Sequence, residues 1–277
     1  MTHHNHINHT DATHLHHTIG LVPQIVLVLP FIIGLVVYLM AVFVSSRRGK
    51  PWPVYRTALW ATGAVCSIVA VAGPLAERAH LVFSVHMVGH LLLGMLAPLL
   101  MVLAAPMTLI LRTLPVPLAR RVSRLLKSRY IRFVIDPIVA SLLNVGALWI
   151  LYITHLYTAM HEYSWLHVLI HFHVFLAGYV FTIAMIYIDP TPHRTSFIYR
   201  SIVLILALAA HGILSKFIYA NPPAGIAPAE AQIGGMLMYY GGDAVDILII
   251  FILCYQWYKA SRPRPAVERP SYSLQNT

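Results

Sequence analysis

Two pairs of histidines four residues apart, His86 with His90 and His167 with His171, fall inside long apolar stretches of this 277-residue chain. On a helix, residues at that spacing share a face, so each pair presents two imidazoles to a common partner. His211 stands in another apolar stretch, and Asp243 and Asp246 stand one turn apart in the last one. An Asp at the centre of a bilayer costs about 2.5 to 3.5 kcal/mol on insertion scales, so each such group needs a compensating partner. A solitary intramembrane histidine is accounted for by an interhelical hydrogen bond of about 0.6 kcal/mol, which is the reading for His173. Two pairs and two carboxylates at one depth require more, and a bound metal or cofactor supplies it. Imidazoles suit copper, zinc, iron and nickel, while thioethers favour Cu(I). Met87, Met160, Met236 and Met238 lie beside these polar positions and tilt the choice to copper, as Cu(I) or Cu(II). The N-terminal stretch carries His3, His4, His6, His9, His14, His16 and His17 and reads by composition as a disordered, metal-collecting tail.

What must hold these residues is a membrane bundle. The chain is 58% hydrophobic and only 10% charged, with a mean hydropathy of +0.72, against roughly a quarter charged residues in a soluble domain. Its apolar blocks approach the roughly 20 residues a helix needs to cross a bilayer core. Seven spans are expected, at 21–44, 57–76, 81–104, 136–159, 164–188, 196–219 and 235–258, giving an all-α, polytopic membrane protein. Of the 19 Lys and Arg residues, 17 fall in alternate connections together with the C-terminal tail. The positive-inside rule makes that side cytoplasmic and places the N-terminus outside. At 1.5 Å per residue the polar groups then lie roughly 7 to 17 Å below the outer boundary, in the outer half of the membrane.

Three regions follow: a tail at 1–20, a membrane domain at 21–258, and a Pro-rich cytoplasmic tail at 259–277 that reads as disordered. The first apolar run lacks a preceding basic residue and is too long for a cleavable signal core. The basic stretch at about 115–132, with Arg120, Arg121, Arg124, Lys127 and Arg129 among leucines and valine, reads as an interfacial amphipathic helix against anionic headgroups. The net charge of +10 is therefore a topology signal and not a nucleic-acid surface. Cys66 and Cys254 lie in different apolar segments and form no disulfide framework. No internal repeat is evident, and nothing resembles a hydrolytic triad or a phosphate loop.

The third span reads His86-Met-Val-Gly-His90-Leu-Leu-Leu, followed by Ala97-Pro98 and Ala105-Pro106. The last span is entered through Gly234-Gly-Met-Leu-Met-Tyr-Tyr-Gly-Gly-Asp243, and the fifth carries His167 with His171. Over residues 20–258 these motifs resemble the seven-span CtaG family, assembly factors for caa3-type cytochrome c oxidases of bacteria. The resemblance implies a multi-pass protein of the plasma membrane that is not an enzyme. It also implies that the protein takes copper from an extracytoplasmic donor toward the CuB centre of a haem-copper oxidase catalytic subunit. It carries metal binding onto His86, His90, His167, His171 and Asp243, with His211, Asp246 and Met238 as additional candidates. A homo-oligomer stays open. Two alternatives remain: a b-type haem protein with His90 and His171 as axial ligands, and a copper or proton transporter using His211, Asp243 and Asp246. Against the transporter, the expected cytoplasmic half offers little beyond Thr182 and Asp189.

Overall fold

A computed structural model describes residues 20–262, and among these the chain is helical and contains no strand. The seven tail histidines, and residues 263–277 of the C-terminal tail, lie outside the described residues. Six spans are plain. They are α1 (Leu21–Arg47), α2 (Val54–Val71), a third built from several pieces, and later α12 (Ser164–Met185), α13 (Phe197–Ala220) and α14 (Pro228–Ser261). A seventh counts if a pair bent by 80° is taken as one span.

The breaks have local causes. α2 ends at Val71 because Gly73 takes φ 78°, a left-handed conformation open to glycine, and Pro74 starts a new short helix, α3 (Pro74–Leu81). Val82 is extended, and the third span begins behind it as α4 (Phe83–Leu91). A π-helical segment, Leu92–Leu96, joins α4 to α5 (Ala97–Leu103). Ala105, at φ 53°, turns the chain into α6 (Pro106–Thr113). The basic connection forms two helices, α7 (Val116–Leu126) and α8 (Arg129–Val134), because Ser128 breaks the run and its hydroxyl accepts the Ile131 N–H. The fourth span comprises α9 (Pro137–Ser141), a second π-helical segment Leu142–Gly146, and α10 (Ala147–Ile153), after which the chain bends into α11 (Leu156–Glu162). Thr154 makes that corner. Its hydroxyl donates to the Ile150 carbonyl at 2.6 Å and accepts the Leu156 N–H at 3.2 Å, closing one helix and opening the next.

The third span is the centre of the bundle: 56% of its apolar window is buried, against 17% for α1, whose Ile25, Leu29, Ile33 and Val36 are exposed as expected of a lipid-facing face. α12 crosses the third span at unusually short range, where a Cβ on Gly178 would overlap the Gly94 carbonyl oxygen. Pro98 has no N–H to offer that carbonyl four residues back, so the crossing sits where the helix ladder is already open. The core divides into two large apolar clusters. One contains Phe83, Met87, Leu148, Leu151, Tyr152, Tyr157, Met160, Leu214, Ile218 and Met238. The other, toward the opposite end of the spans, contains Leu99, Val102, Val145, Phe181, Met185, Val203, Leu204, Ile249 and Leu253.

Candidate metal centre

The short helices α3 and α11 set the geometry. Each ends near a histidine, passes through one extended residue (Val82, Tyr163), and enters a span whose fourth and eighth residues are histidines. The pattern His-x5-His-x3-His therefore occurs twice, at His80, His86, His90 and again at His161, His167, His171. This corrects the expectation of no internal repeat. His80 and His161 were not among the candidate ligands, because the extended residue takes them off the helical period of the spans. The repeated spacing is the signal that finds them.

Five rings gather at this end of the bundle. Ring centroids are 5.1 Å apart for His80 and His161, 4.8 Å for His80 and His167, and 4.0 Å for His167 and His171. His86 lies 6.3 Å from His161 and 6.4 Å from His171. Metal–nitrogen bonds of roughly 2 Å would place two imidazoles on one ion with centroids about 5 to 6 Å apart. Among the described residues no three His, Cys, Asp or Glu side chains converge on one point as they stand. His80 Nε2 and His167 Nδ1 are buried with no hydrogen-bond partner. His80, outside the spans, is pushed down to about 4 by burial and then by the neighbouring His161 and His171, so it is neutral at physiological pH.

The hydrogen bonds also choose the tautomer. His161 Nδ1 lies 2.9 Å from the Tyr157 carbonyl and His171 Nδ1 lies 2.9 Å from the His167 carbonyl. A carbonyl only accepts, so both nitrogens carry a proton, and in its neutral form each ring keeps a lone pair on Nε2. His86 Nε2 pairs with the Tyr152 hydroxyl at 3.2 Å, and that hydroxyl also lies 3.8 Å from Met87 Sδ. His86, His171, Tyr152 and Met160 line a cavity of about 30 Å³, which His90 also borders. His173 is apart from this group: its Nε2 donates to the Leu143 carbonyl at 3.0 Å, the interhelical bond its isolation in sequence implied.

His90 faces a second cavity, of about 20 Å³, with His211, Asp246, Asn144 and Met95. The two carboxylates of α14 part company here: Asp246 is 4% exposed, while Asp243, expected as the leading carboxylate ligand and on the same face, is exposed. Positions three apart differ by about 60° around a helix, and the packing of α14 uses that difference. Met238 is buried in the apolar cluster with Phe83, Met87, Leu214 and Ile218, and Met236 is exposed.

Fold and site together define a multi-span helical membrane protein with imidazoles collected at one level of the bundle. The profile of the family described as cytochrome c oxidase caa3 assembly factor (Caa3_CtaG) matches residues 36–260, and the chain belongs to that family, which places it as a multi-pass protein in the plasma membrane. It is similar to uncharacterized proteins of Mycobacterium bovis and Mycobacterium tuberculosis, each 32% identical over 237 residues. A Mycobacterium leprae relative is 31% identical over 240 residues. The matches cover 78 to 79% of this chain but 36% of those relatives, so the chain spans about a third of their length. No solved structure matches.

Proposed function

We propose that the protein binds a copper ion among the gathered imidazoles of His80, His86, His161, His167 and His171 and hands it to the catalytic subunit of a haem-copper oxidase by ligand exchange. It catalyses no reaction of its own. The observation that carries this reading is the pair of buried, unpartnered ring nitrogens, His80 Nε2 and His167 Nδ1, on rings 4.8 Å apart. A buried polar atom without a partner costs about 1 to 3 kcal/mol, and a soft cation relieves it at both rings at once. His161 and His171, locked as Nδ1–H tautomers, supply further lone pairs, and Met160 borders the same cavity as a thioether.

The scale of the cavities favours an ion over haem: about 20 and 30 Å³ accommodate a water or a metal, whereas organic ligands occupy roughly 300 to 1,000 Å³. Beyond Asp246 the core is largely apolar, with Val145, Phe181, Leu204 and Ile249, and the buried Thr182 and Arg200 there donate to the Gly178 and Met185 carbonyls, which argues against a path for a transported ion. With the basic residues inside, the histidines face the extracytoplasmic side, where a donor and the tail histidines would meet them. The test is copper content of the purified protein after equilibration with Cu(I). The intact chain should retain copper, and His167→Ala and His80→Ala should each lower affinity by more than the 10 to 100-fold typical of outer-shell changes. Equal retention in both variants would refute the assignment.

A further inference from the structure

We propose that His90, His211 and Asp246 form a second metal site, distinct from the outer imidazoles and supplied from them through His90. This rests on the copper reading of the outer group, and it divides the histidines into a receiving site and a holding site.

Three independent observations carry it. His90 Nε2 and His211 Nε2 are both buried without hydrogen-bond partners, on rings 6.4 Å apart and inclined by 26°. That separation is close to the roughly 6 Å expected for two imidazoles on opposite sides of one ion. Asp246, 4% exposed, lines the same cavity, although the three side chains do not converge on one point as they stand among the described residues. A buried carboxylate is tolerated when it is paired or coordinates a metal. The cavity, about 20 Å³, is large enough for one ion or water, and Asn144 and Met95 also line it.

The surrounding backbone is shaped to admit these groups. A Cβ on Gly242 would come within 2.6 Å of His211 Cε1, so glycine there leaves α14 flush against the imidazole. Met95 and Asn144 belong to the π-helical segments of the third and fourth spans, and His90 lies two residues before the first segment begins at Leu92. Such π turns occur often at functional sites, where they redirect side chains that a regular helix would aim elsewhere. The donor set also differs from the outer one: a carboxylate joins two imidazoles, which suits a divalent first-row ion better than an all-imidazole group does. His90 borders both cavities, so an ion held by His86 or His171 has one shared ligand by which to exchange inward.

The experiment is metal stoichiometry of the full chain in detergent, titrated with Cu(II) alone and read by elemental analysis and electron paramagnetic resonance. After loosely held metal, including any on the tail histidines, is removed, two copper ions per chain are expected. Asp246→Asn and His211→Ala should each remove one and leave the other spectrum unchanged, whereas His167→Ala should remove the other. Gly242→Ala, which displaces the His211 ring without deleting a ligand, should weaken the same equivalent at least tenfold and covers the case in which His211→Ala fails to fold. One copper per chain that survives all three inner substitutions would overturn the second site and leave the outer assignment standing. Loss of both ions on Asp246→Asn in a folded protein would show a single merged site and also overturn it. An intact chain that binds no copper would reject both readings.

Discussion

Replacing Gly178 by alanine tests whether the two histidine-bearing spans meet as closely as the fold requires. The added methyl would overlap the Gly94 carbonyl oxygen and lie 2.9 Å from the carbonyl carbon and 3.3 Å from Pro98 Cγ. Two of those atoms are backbone, so no side-chain rotation relieves the clash and α12 must move off the third span. Overpacking in a well-filled core costs about 1 to 3 kcal/mol. The better helix propensity of alanine returns at most about 1 kcal/mol, so a net loss of up to about 2 kcal/mol is expected. The same displacement separates His86 and His90 from His167 and His171, so copper affinity should fall together with stability. Gly146→Ala is the matched control, since its Cβ would meet only Leu142 Cδ2 at 4.0 Å and should be neutral or slightly stabilising. Thermal unfolding in detergent, with copper content measured on the same samples, reads both effects. A Gly178→Ala protein as stable and as copper-competent as the Gly146→Ala control would refute the close crossing.

Tyr152→Phe removes the hydroxyl between His86 Nε2 and Met87 Sδ; it should leave the fold intact, cost about 0.5 to 1.5 kcal/mol, and change copper affinity by 10 to 100-fold. No change in affinity would mean that His86 is not positioned through Tyr152. His80 is held near 4, below the ordinary histidine value, so the unfolded chain takes up a proton first. Its contribution to stability is complete above about pH 6.5 and is lost as pH falls toward 4. The metal-free His80→Gln protein should therefore show a flatter stability profile across that window, and an unaltered profile would contradict the burial assigned to His80. Single cysteines at Thr13 and Ser261, in a background lacking Cys66 and Cys254, should react with a membrane-impermeant thiol reagent on intact cells only at the first position. Reaction at Ser261 alone would invert the topology.

The helical bundle is legible in the sequence because each apolar run is long enough to cross a bilayer and little else suits such a run. Its corners are less so. Gly73 and Pro74 advertise their break, but Thr154 sits among apolar residues and acts through hydroxyl bonds to two backbones, a role no hydropathy profile registers. The i,i+4 pairs mark one face of each span without reference to the rest of the fold. His80 and His161 join them only because Val82 and Tyr163 are extended and fold the short helices back over the pairs. Asp243 and Asp246 could not be ranked from the sequence, because the rotation of α14 against α13 and α4 decides which carboxylate is buried.

Copper analysis of the purified, full-length protein bears most directly on the central claim. After equilibration with a buffered copper source and removal of loose metal, the intact chain should retain copper, and a variant lacking both His80 and His167 should retain markedly less at the outer group while eluting as the same folded species. A well-folded intact chain that retains no copper, or a double variant that retains as much as the intact chain, would contradict the account.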